Sequence, residues 1–400
     1  MKKNILISVY NMEIGGIERS LINMLKVFDY DKFNVDLLIF HHTGEFMNLI
    51  PSSVNTLPQI DKYSVFRKSI LQCFKEGHYS LLFVRLVSKS IAYTKSKFLN
   101  LEEGSGYIQM QLATKYSSFF VPSPSKSYDI AISYAWPHDI IASKVRANKK
   151  IAWIHTDYTK LEIDNKLDYN VWNKFDHIAS ISEEVTKSFI KIYPGLKEKV
   201  FLVENIMSPY LINKMASESI EFPESNENTF KILSVGRLSY VKGFDLAIRA
   251  LNHLQSKGYQ NIKWYIVGYG GYETELKSLI QQFGLEKHFI LLGKKTNPYP
   301  YIKGCDLYVQ PSRYEGKAVT VTEAKILGKP ILITNYPTSK SQIRDRIDGI
   351  ICDLSFEGIS QAIDMLIKQE HLRSNLIKRN TGQNYSNTKE LDKLYSVISN

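Results

Sequence analysis

Short runs of continuous apolar residues alternate along this chain with longer stretches whose apolar positions recur every three or four residues. The runs predict strands at Asn4–Tyr10, Asn34–Phe40, Tyr128–Tyr134, Lys150–His155, His177–Ser182 and Val200–Val203. A second series follows at Lys231–Val235, Lys263–Val267, Phe289–Leu292, Asp306–Gln310, Pro330–Thr334 and Gly349–Cys352. Unbroken apolar strands separated by helical patterns indicate βαβ units whose parallel sheets are covered on both faces. Ile17, Leu21, Met24, Leu25 and Phe28 form one helical stripe, and Leu246, Ala247, Ala250, Leu251 and Leu254 another.

Between the two series lies 208–229, with Pro209, Pro223 and the polar run Glu224–Asn228. It reads as a linker. The chain therefore divides into two Rossmann-like, doubly wound α/β domains, 1–207 and 230–382. A C-terminal helical pattern, 383–400, carries Leu391, Leu394, Tyr395 and Ile398. Two such domains facing each other leave a cleft, with ligands at the carboxyl ends of the strands. The length of 400 residues is ample for two hydrophobic cores.

Charge adds one asymmetry. Of the formal net charge of +11, residues 61–100 hold eight basic side chains, among them Lys62, Arg67, Lys68, Lys89 and Lys95, against Asp61 and Glu76. These cations alternate with Phe66, Ile70, Leu71, Phe74, Leu81, Leu82, Phe83 and Ile91. The stretch 62–97 reads either as solvated helices or as a patch for an anionic membrane surface. Nucleic acid is not expected, because no recognition module accompanies the charge. Cys73, Cys305 and Cys352 are odd in number and widely spaced, which argues against a disulfide framework and for a reducing compartment. Ile5–Tyr10, followed by Glu13, fits a first strand better than a leader peptide, and no apolar stretch approaches a membrane span. The expected localisation is cytoplasmic, with the basic patch peripheral on the inner face of the membrane.

The strongest chemical signal is Ser312–Ala324. Glu315, followed by Gly316, belongs to the loop after the strand Asp306–Gln310, and Glu323 to a helix opened near Thr320. Amide groups at that helix start favour a phosphate, and the two carboxylates suit two hydroxylated parts of one ligand. The spacing alone leaves open an ordinary loop glutamate and a solvated helical one. Upstream, the strand ending at Gly236 is followed by Arg237 and then Lys242–Gly243. A guanidinium and an ammonium beside one strand-to-helix turn suit a diphosphate.

With these motifs the chain resembles the retaining GT-B glycosyltransferases, the group 1, family 4-like set that includes bacterial capsular and surface-polysaccharide enzymes. The resemblance runs through Gly15-Gly16, Gly236-Arg237-Leu238 with Lys242-Gly243, Val267-Gly268-Tyr269-Gly270, Pro311-Ser312 with Glu315-Gly316, and Glu323-Ala324 with Gly328-Lys329-Pro330. It implies a GT-B fold and transfer of a hexosyl unit from a nucleotide diphosphate sugar to a saccharide or lipid-linked acceptor. It further implies that Glu323 binds ribose, Glu315 the donor sugar, and Arg237 and Lys242 the diphosphate, with no metal and no cofactor. Gly15, Gly16, Gly236, Gly268, Gly316, Lys317, Ala318 and Val319 complete the expected donor contacts. The run Gly316-Lys317-Ala318-Val319 departs from the family's usual Phe two residues after the first glutamate and places a cation there. His155, at a strand's carboxyl end, is implied to lie near the donor sugar and phosphate.

Three features are read as incidental. Asp29-Tyr30-Asp31 is a polar turn. Glu273 stands where a dinucleotide fingerprint following Gly268 needs glycine. His41-His42 lacks a second ligand pair. The remaining alternatives are a non-catalytic nucleotide-sugar-binding protein and a phosphorylase of the same fold.

Overall fold

The computed structural model describes residues 2–99 and 105–399, with the side chains of Arg67, Leu99 and Lys160 outside that description. The chain forms two compact units. The first runs to Ile206 and includes the C-terminal stretch from Thr388; the second spans Met207–Asn387.

The first unit holds a seven-stranded sheet of β1 (Lys3–Val9), β2 (Phe33–Ile39), β3 (Asn55–Thr56), β4 (Ser127–Ser133), β5 (Arg146–Ile154), β6 (His177–Ser180) and β7 (Val200–Leu202). Its order is β3-β2-β1-β4-β5-β6-β7, and every pairing is parallel. Ile5, Ile7, Leu37, Ile39, Ile130 and Ile132 are buried at its centre, as strands covered on both faces require. The second unit holds β8 (Phe230–Val235), β9 (Ile262–Val267), β10 (Phe289–Gly293), β11 (Leu307–Gln310), β12 (Ile331–Thr334) and β13 (Ile350–Cys352). They pair in parallel in the order β10-β9-β8-β11-β12-β13. In each sheet the chain order reverses beside the first strand, which opens a crevice at the carboxyl ends.

Two expected boundaries shift. The segment 208–229 is not a free linker. Helix Pro209–Met215 buries Ile212, and Phe222 packs its ring on Tyr265 and Tyr301 at 4.8 and 5.6 Å, all within the second unit. Met207, Ile212, Met215 and Phe222 supply apolar anchors that the prolines and the polar run obscure. The chain also rejoins the first unit at Thr388, five residues later than expected, and helix Glu390–Ser399 then packs there. Tyr395 stacks on Phe33 at 5.3 Å and meets Phe28 edge-on at 5.4 Å, while Lys3 and Lys149 donate to carbonyls of the helix's last turn. The three cysteines are buried and free.

Candidate functional site

Three glycines bring the loops at the ends of β8 and β9 into backbone contact. The Gly236 N–H donates to the Val267 carbonyl at 3.0 Å, and Leu238 N–H to Tyr269 at 3.0 Å, so the pairing continues beyond both strands. A Cβ on Gly268 would stand 1.8 Å from the Gly236 carbonyl oxygen, and one on Gly270 2.3 Å from that of Leu238. The Lys242 stem lies over Gly236, whose added Cβ would sit 3.4 Å from the lysine's Cδ.

The turn Tyr240–Lys242 ends at Gly243, whose φ of 66° is left-handed and whose added Cβ would be 2.0 Å from the Pro311 carbonyl oxygen. Only glycine serves there. Arg313 fastens the same turn from the other side. Its guanidinium makes two bonds to the Asp245 carboxylate at 2.7 and 2.6 Å, a third to the Tyr240 carbonyl at 2.7 Å, and lies 3.9 Å from the centre of the Tyr240 ring. A forked guanidinium on a carboxylate holds position as well as charge.

The turn after β8 is thereby locked onto the loop after β11, and Lys242 meets Glu315. The Lys242 ammonium donates to Glu315 Oε1 at 2.6 Å. The same oxygen accepts from Ser312 Oγ at 2.6 Å and Gln310 Nε2 at 3.0 Å. Glu315 Oε2 accepts no hydrogen bond among the described residues. One oxygen is thus fixed by three donors and the other is available to a ligand hydroxyl, while two of the three ammonium protons of Lys242 remain for an anion. Gln310 is fully buried at the end of β11, with its Oε1 taken by Tyr308 and Thr320 at 2.8 and 3.2 Å. Gln310 and Asp245 are site residues to which the sequence reading gave no part, and Ser312 and Arg313 lay inside its strongest motif without a role of their own. A glutamine ending a buried apolar strand was the available signal, since a buried amide must find partners.

Arg237, following Gly236, is exposed and makes no ion pair among the described residues. Gly316, Lys317 and Val319 are half-buried around the loop. The helix begins at Val319, next to Thr320 as expected. The Ala318 N–H is not available to a phosphate, because it donates to Gln342 Oε1 at 3.0 Å. Thr338 bonds the Glu315 carbonyl at 2.8 Å, and the buried Lys325 bonds the Gln342 carbonyl and pairs with Asp348 at 3.3 Å. Burial lowers the Lys325 pKa. Glu323 is fully enclosed, with Oε1 accepting from the Tyr299 hydroxyl at 2.9 Å.

In the first unit, Gly15 caps helix Gly16–Lys26 in extended conformation, and an added Cβ there would collide with Glu18 Oε2 at 2.2 Å; Gly16 faces open space. His155 directly follows β5. Its Nε2 lies 2.7 Å from the Tyr134 carbonyl, an acceptor only, so Nε2 carries the proton and neutral Nδ1 keeps a lone pair. Burial pushes the imidazole pKa down to about 4. Neighbouring His138 is pushed down to about 3 by burial, then by the charge of His155. Asp29-Tyr30-Asp31 forms a turn in which Asp29 accepts from the Asp31 and Lys32 amides and pairs with Lys32.

Residues 216–383 match the model of the glycosyl transferases group 1. This segment is a group 1 glycosyl transferase domain. A glycosyltransferase of Methanocaldococcus jannaschii, itself uncharacterized, is 28% identical over 213 residues, 50% of this chain and 52% of that protein. The chain thus spans about half the length of that relative. A Campylobacter jejuni N-acetylgalactosaminyltransferase, named for its action on N-acetylgalactosamine-N,N'-diacetylbacillosaminyl-diphospho-undecaprenol, is 21% identical across 92% of this chain and 91% of its own. Among solved structures, Anabaena HepE in complex with UDP and glucose superposes with a TM-score of 0.70 at 17% identity, covering 99% of each chain. The two parallel sheets with their helices are those of the GT-B fold.

Proposed function

We propose that the protein transfers a hexosyl unit from a nucleoside diphosphate sugar to a hydroxyl of a saccharide or lipid-linked acceptor, retaining the anomeric configuration and using no metal. The observation that carries this reading is the divided carboxylate of Glu315 beside Lys242. Oε1 is immobilised by Lys242, Gln310 and Ser312, and Oε2 is left for a sugar hydroxyl. A preorganised acceptor costs nothing to reorient during reaction.

Breaking the bond between the sugar and the phosphate develops oxocarbenium character on the sugar and negative charge on the departing diphosphate. Lys242 keeps two free protons for that charge, and exposed Arg237 adds a second cation. The acceptor hydroxyl attacks the anomeric carbon from the side the diphosphate leaves, and its proton passes to the leaving phosphate oxygen. His155, neutral with an unprotonated Nδ1, is suited to accept from a donor hydroxyl. Glu323 is the ribose carboxylate in this reading. Its full enclosure means that Tyr299 and its neighbours must part for the nucleotide.

UDP is the first nucleotide to test, because the structural neighbour HepE holds UDP and glucose. The name of the C. jejuni relative, which acts on a diphospho-undecaprenol substrate, supports a lipid-linked acceptor. That acceptor fits a protein working peripherally at the cytoplasmic face of a membrane in surface-polysaccharide or capsule synthesis. Among the described residues no helix is long and apolar enough to cross one. Calorimetry with UDP, GDP, ADP and dTDP, followed by NMR of the product anomer from the matching sugar nucleotides, tests the proposal. Binding of none of the four overturns it, and an inverted product overturns retention. Binding without transfer or hydrolysis favours the non-catalytic alternative.

A further inference from the structure

The helix Tyr79–Leu99 has two apolar faces, and only one of them is used by the fold. Leu81, Val84, Ser88 and Ala92, spaced three to four residues apart, are buried, and Ala92 packs with Ile108 and Leu112. On the opposite side, Tyr79, Phe83, Leu86 and Tyr93 project outward along one line, again at helical spacing. Phe74 of the preceding helix Ile70–Lys75 continues that line, its ring 5.9 Å from that of Tyr79. These five side chains are between 46% and 66% exposed. Isolated exposed apolar residues are ordinary, but a contiguous row of rings marks a contact surface.

Charge identifies the partner. The helix carries Arg85, Lys89, Lys95 and Lys97 and no carboxylate. Arg85 turns inward to the Val65 carbonyl, and Lys95 is consumed by Asp164. Lys68, counted among the patch cations in the sequence reading, is held by Glu76 at 2.7 Å. The Arg67 side chain lies outside the described residues. On the two helices that carry the rings, the available cations are therefore Lys89, Lys97 and exposed Lys75. Lys97 sits 4.8 Å from the centre of the Tyr93 ring. Rings in line with cations at their edges, spread over ~21 Å of helix axis, match the boundary where acyl chains meet anionic headgroups.

We infer that the outer face of Ile70–Leu99 seats the first unit on an anionic bilayer surface, with Phe74, Phe83, Leu86 and the two tyrosines entering the interface and Lys75, Lys89 and Lys97 contacting phosphates. This deepens the lipid-linked acceptor reading, on which its purpose rests, though the binding itself does not depend on sugar transfer.

The test is co-sedimentation of the full chain with phosphatidylglycerol–phosphatidylcholine vesicles and with phosphatidylcholine vesicles. Binding is expected to the first only, and to weaken as salt shortens the Debye length from ~10 Å at 0.1 M to ~3 Å at 1 M. The combined variant K75Q, K89Q and K97Q should bind on the order of a hundredfold more weakly. Phe83→Ser with Tyr93→Ser should also bind more weakly, with an unchanged circular dichroism spectrum because neither ring is in the core. Lys187→Gln with Lys277→Gln, exposed lysines elsewhere, should bind as the parent does. The proposal is overturned by absence of binding to anionic vesicles, by equal binding to neutral ones, or by equal loss in the Lys187 and Lys277 control. It is also overturned if the chain forms a dimer that Phe83→Ser disperses while vesicles stay unbound. UDP titration of the same samples separates the two readings. No vesicle binding by the parent chain with intact UDP binding sinks this surface alone, and vesicle binding by the parent without UDP binding sinks the donor reading alone.

Discussion

Removing either partner of the Lys242–Glu315 pair should have opposite consequences for stability and for nucleotide binding. The pair is 2.6 Å long, with the glutamate side chain 9% exposed and the lysine 23%. A fully buried pair broken on one side costs about 3–5 kcal/mol, whereas an exposed one is worth about 0–1 kcal/mol. Partial exposure of the lysine puts the coupling between these limits, at about 1–3 kcal/mol. The two single variants should be unequal. Glu315→Ala takes a shared acceptor from Lys242, Gln310 and Ser312, of which Gln310 keeps only its bond to Ser312, and should cost more. Lys242→Ala leaves Glu315 with the Gln310 and Ser312 hydrogen bonds and should cost about 1–2 kcal/mol. Urea unfolding of the parent, both single variants and the double variant measures the coupling as a double-mutant cycle. Calorimetry with UDP then reverses the order. Lys242→Ala removes a charged hydrogen bond to the diphosphate, worth about 1.5–3 kcal/mol, or ~10–150-fold in Kd. Glu315→Ala should leave UDP affinity equal or tighter, because it removes negative charge and frees the third lysine proton. A coupling of zero would refute the ion pair as a structural element. Parent-like UDP affinity in Lys242→Ala, or an equal loss in Glu315→Ala, would refute the division between phosphate cation and sugar carboxylate.

Gly268→Ala should destabilise the second unit by about 1–3 kcal/mol, because the new methyl group meets the Gly236 carbonyl oxygen rather than a movable side chain. Gly271→Ala has open space and should stay within about 0.5 kcal/mol, so similar denaturation midpoints for the two variants would discount the close loop contact. The His155 pKa, held down to about 4, makes this residue's contribution to stability full above its unfolded value and lost as pH falls from ~6.5 towards that folded value. His155→Gln should therefore lessen the stability lost between pH 7 and pH 5 by about 2 kcal/mol. Asp139 and Asp168, raised to about 6 by burial, act in the opposite direction in both proteins, so the difference between parent and variant is the quantity to read. Sugar transfer should persist in EDTA, and activity abolished by EDTA and restored by Mg²⁺ would disprove the reliance on Arg237 and Lys242.

The alternation of apolar runs and helical stripes was sufficient to place the twelve longer strands, because burial on both faces of a parallel sheet leaves its imprint on consecutive residues. The strand Asn55–Thr56 escaped, since two polar residues at a sheet edge carry no such imprint. Glu315, Lys242 and Arg237 could be nominated from residue type and position after a strand. What those side chains do to one another could not. Arg313 and Asp245 stand 68 positions apart, and Lys242 and Glu315 73. Nothing within either neighbourhood says that a glycine at 243 allows the two loops to touch. The same holds for the basic stretch, where charge was visible along the chain but its allocation was not. Asp164 takes Lys95, Glu76 takes Lys68, and Lys75, Lys89 and Lys97 are left beside the outer rings. Periodicity is a local property, written every two to four residues by which side meets the core. A partner is a property of packing, decided only when distant segments are brought to hydrogen-bond distance and each buried donor or acceptor must be satisfied.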